Sequence, residues 1–474
     1  MEWFVAEEYS LGRMLFSHGL GILYFVAFLG AARQFKGLIG TNGLLPVSDF
    51  VRDVPFGRSP SLFHLHYSDR FFAVVAWSGA GLAALTALGV TAKLPLLACM
   101  AIWFAMWVLY LSIVNVGQAW YSFGWESLLL EAGFLAVFIG NADTAPPILV
   151  LILLRWILFR LEFGAGLIKM RGDACWRNLT CMYYHHESQP MPGPFSWHFH
   201  HLPKPLHKVE AAGNHVVQLV VPFGLFLPQP VAAFAAAAMI GTQLWLVVSG
   251  NFAWLNWAAI VLAVSVIPDS ILEPILPLSA DTDFASPPAP FVAVVIAVTA
   301  LVVVLSYRPA RNLVSARQVM NASFDKWHLV NTYGAFGTVT KIRHEIVLEG
   351  TVDMMVSDAT EWREYEFKGK PGDVRRRPRQ FAPYHLRLDW LMWFAALSPS
   401  YARSWFPGMV AKLLAADPSV LALVRTDPFS GKAPHFVRAR YYRYRYTSRR
   451  ERRETGAWWH RELVGEYMPP VSLG

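Results

Sequence analysis

Three charged residues spaced by seven along an apolar segment could carry chemistry in this sequence: Arg155, Glu162 and Lys169. A helix drifts by only about 20° per heptad, so the three side chains would form one stripe on one helix face. Charges in hydrocarbon are costly and normally face a partner or water. A lysine in a dry polar site could act as a base. The structural alternative has Arg155 and Lys169 reaching the headgroups, with Glu162 bonded to Arg160 or a neighbouring helix.

Two further carboxylates, Glu126 and Glu131, lie in the apolar run that precedes this segment. A short connection would place the two runs side by side and antiparallel. The carboxylates could then pair with Arg155, Arg160 or Lys169, which would lower the cost of holding them in hydrocarbon. We therefore predict Glu126, Glu131 and Arg160 as polar partners inside the membrane, mainly for stabilisation.

Cys175 and Cys181 enclose five residues in a polar connection, 170–208, between two apolar runs. A bond between them would close a small ring if the connection faces an oxidising compartment, whereas a reducing compartment would keep two free thiols. The spacing is not the C-x-x-C of thiol oxidoreductases, so we predict no disulfide-exchange activity.

The same connection is rich in histidine. The residues are His185, His186, His198, His200, His201 and His207. Their spacing fits no compact zinc motif, and nearby carboxylates are limited to Glu187 and Glu210. Histidines in loops more often bond to the backbone, so we predict no metal and no cofactor.

Basic clusters and interleaved tyrosines mark the C-terminal third. Arg375, Arg376 and Arg377 follow a Pro-Gly turn, and the stretch 441–446 alternates tyrosine with arginine. In an extended strand, one face would hold Tyr442, Tyr444 and Tyr446. Tyrosine and arginine are enriched at binding hot spots, so these residues are candidates for contact with a client protein or with lipid headgroups. A solvated face is the alternative. No nucleic-acid motif accompanies the charge.

The elements that must position these residues are mostly apolar helices. Of the 474 residues, 55% are hydrophobic and only 16% are charged. Runs near 18 or more residues are candidates to cross the bilayer. We find them at 12–32, 70–90, 94–116, 124–141, 146–169, 209–228, 230–249, 251–268 and 289–307. We predict a polytopic α-helical membrane protein with about seven to nine transmembrane helices.

The composition changes near residue 308. From there onward the chain holds 27 Lys and Arg against 16 Asp and Glu, whereas the earlier part is apolar and weakly acidic. Alternating stretches at 341–350, 361–368 and 436–447 predict strands. We predict two domains: a transmembrane domain, 1–307, with an ordered loop at 170–208, and a basic extramembrane domain, 308–474, that is mainly β or α+β.

Several long motifs resemble the lipase maturation factor family. They include RWILFRLEFGAGLIKMRGDACWRNLTCMYYHHESQPMPGP (155–194), VVSGNFAWLNW (247–257), YEFKGKPGDVRRRPRQFAPYHLRLDWLMWFAAL (365–397) and DPFSGKAP (427–434). The resemblance implies a multi-pass membrane protein that assists the folding and assembly of secreted lipases. Eukaryotic members lie in the endoplasmic reticulum membrane. The short N-terminus suggests a bacterial member, which would lie in the cytoplasmic membrane. Its partners would be membrane lipid and a secreted, lipase-like client.

A second, more distant resemblance concerns Lys169. GAGLIK at 164–169, followed by Trp176, looks like the corresponding stretch of vitamin K-dependent γ-carboxylases, where the final lysine is a catalytic base. The histidine that accompanies it in that family would fall at 118–120, where this chain has none. The alternative function is therefore a membrane enzyme using Lys169 as a base near a lipophilic cofactor. We favour a maturation factor without enzymatic activity.

Overall fold

The structure, a computed structural model, describes residues 2–473. The N-terminal part is helical. Its longer helices are α1 (Ser10–Leu38), α3 (Asp69–Ala87), α4 (Leu96–Val116), α5 (Gly124–Ala136), α6 (Ile148–Arg171), α10 (Lys204–Leu219), α12 (Val231–Ser249), α13 (Leu255–Val264) and α15 (Ala289–Leu305). Its short helices are α2 (Val47–Asp53), α7 (Ala174–Arg177), α8 (Met182–Ser188), α9 (Ser196–His200), α11 (Val221–Gly224), α14 (Asp269–Leu272) and α16 (Tyr307–Val314).

Five helical segments of the described chain are long and apolar enough to cross a membrane. They are Glu7–Leu38, Asp69–Ala87, Leu96–Val116, Val231–Ser249 and Ala289–Val314. Each matches one of the apolar runs found in the sequence. Their length suits a bilayer core, because about 20 residues at 1.5 Å per residue span it.

The other predicted runs fold as helices that differ from a simple span. The run 124–141 gives α5, which has only 13 residues and is buried on every side. The run 146–169 gives α6, which has 24 residues and contains more charged residues than a simple apolar span. The run 251–268 gives a helix of 10 residues. Burial inside the protein relaxes the need for a helix to match the bilayer thickness.

The run 209–228 does not form one span. It divides at Val220 into α10 and α11, just before Pro222. Proline cannot donate a backbone hydrogen bond and interrupts a helix at this point. Helix α10 is amphipathic: it buries the polar side chains of His207 and Gln218 against the protein and exposes Leu206, Val209 and Val216.

Helix α1 is the centre of the helical part. It packs along α3 and also contacts α5 and α13, while α12 packs along α13. Gly21 permits the close approach of α1 to α3, because a Cβ there would lie 2.7 Å from the backbone nitrogen of Ala87. These helices enclose α5 and the first turns of α6.

The C-terminal part is α+β. Its strands β1 (Arg343–Thr351), β2 (Arg363–Glu364), β3 (Phe436–Tyr446) and β4 (Trp459–Val471) form one antiparallel sheet in the order β2-β1-β3-β4. Its helices are α17 (Arg387–Leu397), α18 (Phe406–Leu414), α19 (Pro418–Leu421) and α20 (Arg449–Thr455). Helix α17 packs on β1 and α18 packs on β3. The strand prediction missed β4 and extended β2 too far.

The helical and C-terminal parts share one hydrophobic core. A single cluster of buried side chains runs from Phe4 through the helices to Ala439 in β3. The segment around Tyr333 and the start of α17 both insert among the helices. The domain boundary at residue 308 remains a prediction, and the core is continuous across it.

Candidate functional site

A large cavity lies between the helical part and the segments that follow it. Its volume is about 1030 Å³, and it is partly open. Side chains of α6, α10, α12, α13 and α17 line it, together with residues 334–338. The walls are mostly apolar, and a few polar groups converge at one end, as in many small-molecule sites.

Glu162 and Lys169 lie in the wall of this cavity and are joined through amides. The Gln243 Nε2 donates to Glu162 Oε1 at 2.6 Å, and Gln218 Nε2 donates to Glu162 Oε2 at 3.1 Å. Lys169 Nζ donates to Gln218 Oε1 at 2.8 Å and to Asn214 Oδ1 at 2.7 Å. The acid and the base are thus connected by one glutamine rather than by a direct ion pair.

Lys169 and Arg155 occupy different surroundings. Lys169 Nζ also lies 5.0 Å from the centre of the Trp176 ring, a favourable contact for a cation. Arg155 Nη1 donates to the carbonyl of Leu225 at 3.3 Å, and its guanidinium lies 5.5 Å from the centre of the Tyr9 ring. The structure brings Glu162 and Lys169 together and leaves Arg155 outside their network.

A second buried carboxylate, Glu131, pairs directly with Arg160. Both side chains are 1% exposed, and two guanidinium nitrogens face the two carboxylate oxygens. Tyr333 donates its hydroxyl to Glu131 Oε2 at 2.6 Å, and the backbone and side chain of Asn331 each donate to the same oxygen at 3.0 Å. Oε2 thus receives several donors, and Oε1 accepts from Arg160. The pair fixes 331–333 against α5 and α6.

Glu126 pairs with Arg387 of α17 and not with Arg155, Arg160 or Lys169, the partners that the sequence predicted. Arg387 Nη1 lies 2.6 Å from Glu126 Oε1 and donates to the Trp120 carbonyl at 2.6 Å. The Tyr110 hydroxyl donates to the other carboxylate oxygen. The Arg387 guanidinium lies 3.5 Å from the centre of the Tyr121 ring. This pair holds the start of α17 among the membrane helices.

The structure joins Cys175 and Cys181 in a disulfide with a Cα–Cα distance of 4.8 Å. The ring lies next to Trp176, whose indole N–H donates to the Phe336 carbonyl at 2.7 Å. Cys99, the third cysteine, is buried and free. The disulfide therefore sits at the edge of the cavity, beside the aromatic ring that contacts Lys169.

The histidines of the 170–208 loop separate into two groups. His185 lines the cavity, and burial lowers its pKa to about 3, so its imidazole is neutral near pH 7. His186 and His207 converge on Glu210, and the three ligating atoms lie within 4.8 Å of one another. We predicted no metal because the histidine spacing fits no compact zinc motif, and His186 indeed lies more than 20 positions before the other two. The fold brings α8 and α10 together.

The candidate contact residues of the C-terminal part differ in exposure. Tyr444 and Tyr446 are buried, Tyr446 being stacked on Trp459 with ring centres 4.0 Å apart. Their predicted role in direct client contact is not supported by this packing, because the face of β3 that they share is covered by Trp459 and by the 371–372 turn. Tyr442 is half-buried beneath Arg461.

The three arginines of the turn at 375–377 also separate. Arg376 donates to the carbonyls of Phe367 and Lys370, at 2.8 and 2.7 Å, and so holds the turn together. Arg377 is exposed and donates to the Pro194 carbonyl at 3.1 Å. Arg375 is exposed, and among the residues described its side chain has no hydrogen-bond partner. Of these three arginines, Arg375 and Arg377 are exposed and Arg376 is half-buried.

Sequence reasoning missed the amides that organise the cavity. Gln218 and Gln243 are single polar residues in largely apolar or amphipathic stretches, and Asn256 donates to Gln243 at 2.6 Å. A glutamine in an apolar run is itself costly and points to a buried polar partner. A lone glutamine in an apolar run was therefore a visible signal, although it does not identify the buried group to which the amide bonds.

The fold and the buried polar sites define an integral membrane protein with an extramembrane C-terminal part that carries a sheet. Residues 11–274 match the lipase maturation factor transmembrane domain, and residues 329–469 match the lipase maturation factor C-terminal domain. The chain belongs to the lipase maturation factor family.

Relatives match along almost the whole chain. Lipase maturation factor 1 of Homo sapiens is 41% identical, over 98% of this chain and 88% of its own length. Lipase maturation factor 1 of Bos taurus is 40% identical, over 98% and 90%. Lipase maturation factor 2 of Gallus gallus is 28% identical, over 98% and 81%. No solved structure matches.

Proposed function

We propose that this protein is a membrane-embedded maturation factor that assists the folding and assembly of a secreted lipase or a related client. The observation that carries the proposal is the likeness to lipase maturation factor 1, which extends over 98% of this chain. Because so little of the chain lies outside the likeness, the helical part and the sheet both fall largely within it. The other partner is membrane lipid.

We propose about seven to nine membrane crossings. Besides the five long apolar helices, α6 has the length of a span, and its Arg160 pairs with Glu131 while Glu162 and Lys169 bond to amides. In a bacterial host the membrane would be the cytoplasmic membrane, and in a eukaryotic host that of the endoplasmic reticulum.

The loop at 170–208 and the sheet lie on the same side of the membrane. Arg343 of β1 donates to the carbonyls of Glu187 and Pro190, each at 3.1 Å. Trp197 donates to the carbonyl of Thr447 at 2.9 Å. Because disulfides persist in oxidising compartments, Cys175–Cys181 supports an extracytoplasmic location for both segments. A secreted client folds in that compartment.

The loop between β1 and β2 is our candidate for client contact. Met354 and Met355 are 73% and 81% exposed, and Val352 and Val356 beside them are also exposed. Flexible methionines suit surfaces that accept varied apolar segments. A non-native lipase exposes such segments, whereas a folded one does not. Arg375 and Arg377 supply exposed positive charge in the same C-terminal part.

The test is loss and rescue of secreted lipase. Deleting the gene in its host should lower the amount of active secreted lipase without lowering the lipase transcript, and the full-length chain should restore it. Lipase precursor should co-purify with the chain from detergent extracts. Unchanged activity of every secreted lipase in the deletion strain would contradict the proposal.

A paired variant locates the client surface. Replacing Met354 and Met355 with serine should reduce rescue and co-purification while the protein remains folded, because both side chains are solvent-exposed. The control replaces Leu463 and Val464 of β4, which are also exposed, with serine. Equal loss in both variants would show that exposed apolar area in general matters, and would reject the β1–β2 loop as the surface.

The enzyme alternative gains no support. The relatives reported above are lipase maturation factors, and none of them is a carboxylase. Lys169 donates to two amide oxygens. The histidine that accompanies this lysine in the carboxylases has no counterpart at 118–120.

A further inference from the structure

His186, His207 and Glu210 form a cluster that the maturation function leaves unexplained. His186 lies on α8, and the other two lie one turn apart on α10. His186 Nε2 is 3.2 Å from Glu210 Oε2, and His207 Nδ1 is 3.6 Å from the same oxygen. Both histidines are buried.

The hydrogen bonds of His207 fix which of its nitrogens can carry the proton. Its Nε2 lies 3.3 Å from the carbonyl oxygen of His200. A carbonyl oxygen only accepts, so this nitrogen is the donor and carries the hydrogen. In the neutral ring, Nδ1 then presents a lone pair toward Glu210, and it has no hydrogen-bond partner. A lone pair facing a carboxylate oxygen in a buried site is repelled by it, and either a proton or a metal ion between the two atoms removes that repulsion.

We propose that His186, His207 and Glu210 bind a divalent first-row transition metal ion, for which zinc is the best chemical fit. Two imidazoles and one carboxylate are a common zinc ligand set, leaving a fourth position for water or another ligand. Metal–ligand bonds of about 2.0–2.1 Å at tetrahedral angles separate ligand atoms by about 3.3 Å. The two separations from Glu210, 3.2 and 3.6 Å, are near that spacing, and all three ligand atoms lie within 4.8 Å of one another, so the two histidines would draw together on binding the ion.

Groups around the cluster orient two of the three ligands. The Trp245 indole N–H donates to Glu210 Oε1 at 2.7 Å, which leaves Oε2 to face the histidines. The His200 carbonyl holds the His207 ring as described above. Metal-ligating histidines usually donate their other ring nitrogen in this way. The ion would tie α8 to α10 at the edge of the cavity, which Glu210 and Trp245 also line.

The first experiment measures metal in the full chain purified in detergent. Protein produced with zinc in the medium and freed of loosely bound ions should contain about one transition metal ion per chain. The double variant His186→Ala/His207→Ala should lose it. The control His198→Ala removes an exposed histidine of the same loop and should keep the ion. No first-row metal in the wild type, or an unchanged content in the double variant, would overturn the proposal.

A double variant that fails to fold would still leave two decisive measurements. X-ray absorption at the metal edge of the wild type should show imidazole ligands with oxygen, whereas sulfur or oxygen ligands alone would overturn the site. The substitution Trp245→Phe should weaken metal affinity about 10–100-fold, measured by competition with a chelator, since it frees the carboxylate of Glu210. An unchanged affinity in that variant would count against Glu210 as a ligand.

Discussion

Glu131 and Glu162 are equally buried, at 1% exposure each, yet the protein satisfies them differently. Glu131 is paired directly with Arg160 and is surrounded by donors from the 331–333 segment. Glu162 receives two glutamine amides, and its lysine lies one side chain further away, beside an open cavity. The direct ion pair holds α5, α6 and the 331–333 segment together. The second arrangement, at Glu162, satisfies the carboxylate oxygens with neutral amides and leaves a cavity beside them.

The ion pair should therefore be the more sensitive of the two sites. We expect Arg160→Met to lower the free energy of unfolding by about 3–5 kcal/mol, because it leaves a buried carboxylate without a counter-charge. Denaturant titration in detergent measures this loss. The double variant Glu131→Gln/Arg160→Met should recover part of it, since the glutamine oxygen can still accept from Tyr333. A single-variant loss below about 1 kcal/mol would remove the contrast.

The ion pair of Glu126 and Arg387 tests whether a buried pair also fixes the C-terminal part to the helices. Glu126→Gln should cost about 3 kcal/mol, near the lower end for a broken buried pair, because Arg387 keeps the Trp120 carbonyl. Limited trypsin digestion should show faster cleavage at Arg379, which is exposed and precedes the segment that Arg387 anchors. Cleavage at the exposed Arg58 should keep its wild-type rate. Equal acceleration at both positions would indicate global unfolding instead.

Two glycine substitutions compare the tightly packed contact between α6 and Tyr333 with the wall of the cavity. A Cβ at Gly164 would collide with the Tyr333 carbonyl, so Gly164→Ala should cost about 1–3 kcal/mol. A Cβ at Gly241, in the cavity wall, would meet nothing within 4 Å. We expect Gly241→Ala to be neutral or to stabilise by up to about 1 kcal/mol, since alanine favours helix. Denaturant titration in detergent measures both variants. A larger loss for Gly241→Ala than for Gly164→Ala would show that the cavity wall is packed more tightly than the contact with Tyr333.

Lys169→Met should have the smallest destabilising effect. It removes two hydrogen bonds, yet Asn214 and Gln218 can turn toward the cavity, so we expect a loss of about 1 kcal/mol. Lipase rescue by this variant should remain close to that of the wild type. A folded Lys169→Met protein that rescues no lipase would instead favour the enzyme alternative.

Much of the helical fold was predictable because hydropathy is a local property. The runs at 70–90, 94–116 and 230–249 each became one helix of nearly the expected length. The run at 124–141 did not, because α5 is enclosed by protein and its length is not set by the bilayer. Likewise, Pro222 divided the run at 209–228. A sequence window reports apolarity without saying whether lipid or protein surrounds the helix.

The candidate site was less predictable because its partners lie far apart in the chain. The stripe of Arg155, Glu162 and Lys169 was a local inference, and only the last two share a network. Arg387 is separated from Glu126 by 261 positions, and nothing in the spacing links them. The alternation in β3 correctly placed Tyr444 and Tyr446 on one face. It did not reveal that Trp459, from an unpredicted strand, covers that face.

The contact between Glu126 and Arg387 has a consequence for the order in which the chain is made. Helix α5 leaves the ribosome well before residue 387 exists, so its carboxylate enters the bilayer uncompensated or protonated during synthesis. The helical part therefore reaches its final state only after the C-terminal part has been translated and has folded back. A chain truncated before α17 would leave Glu126 of the helical part without the cation that pairs with it.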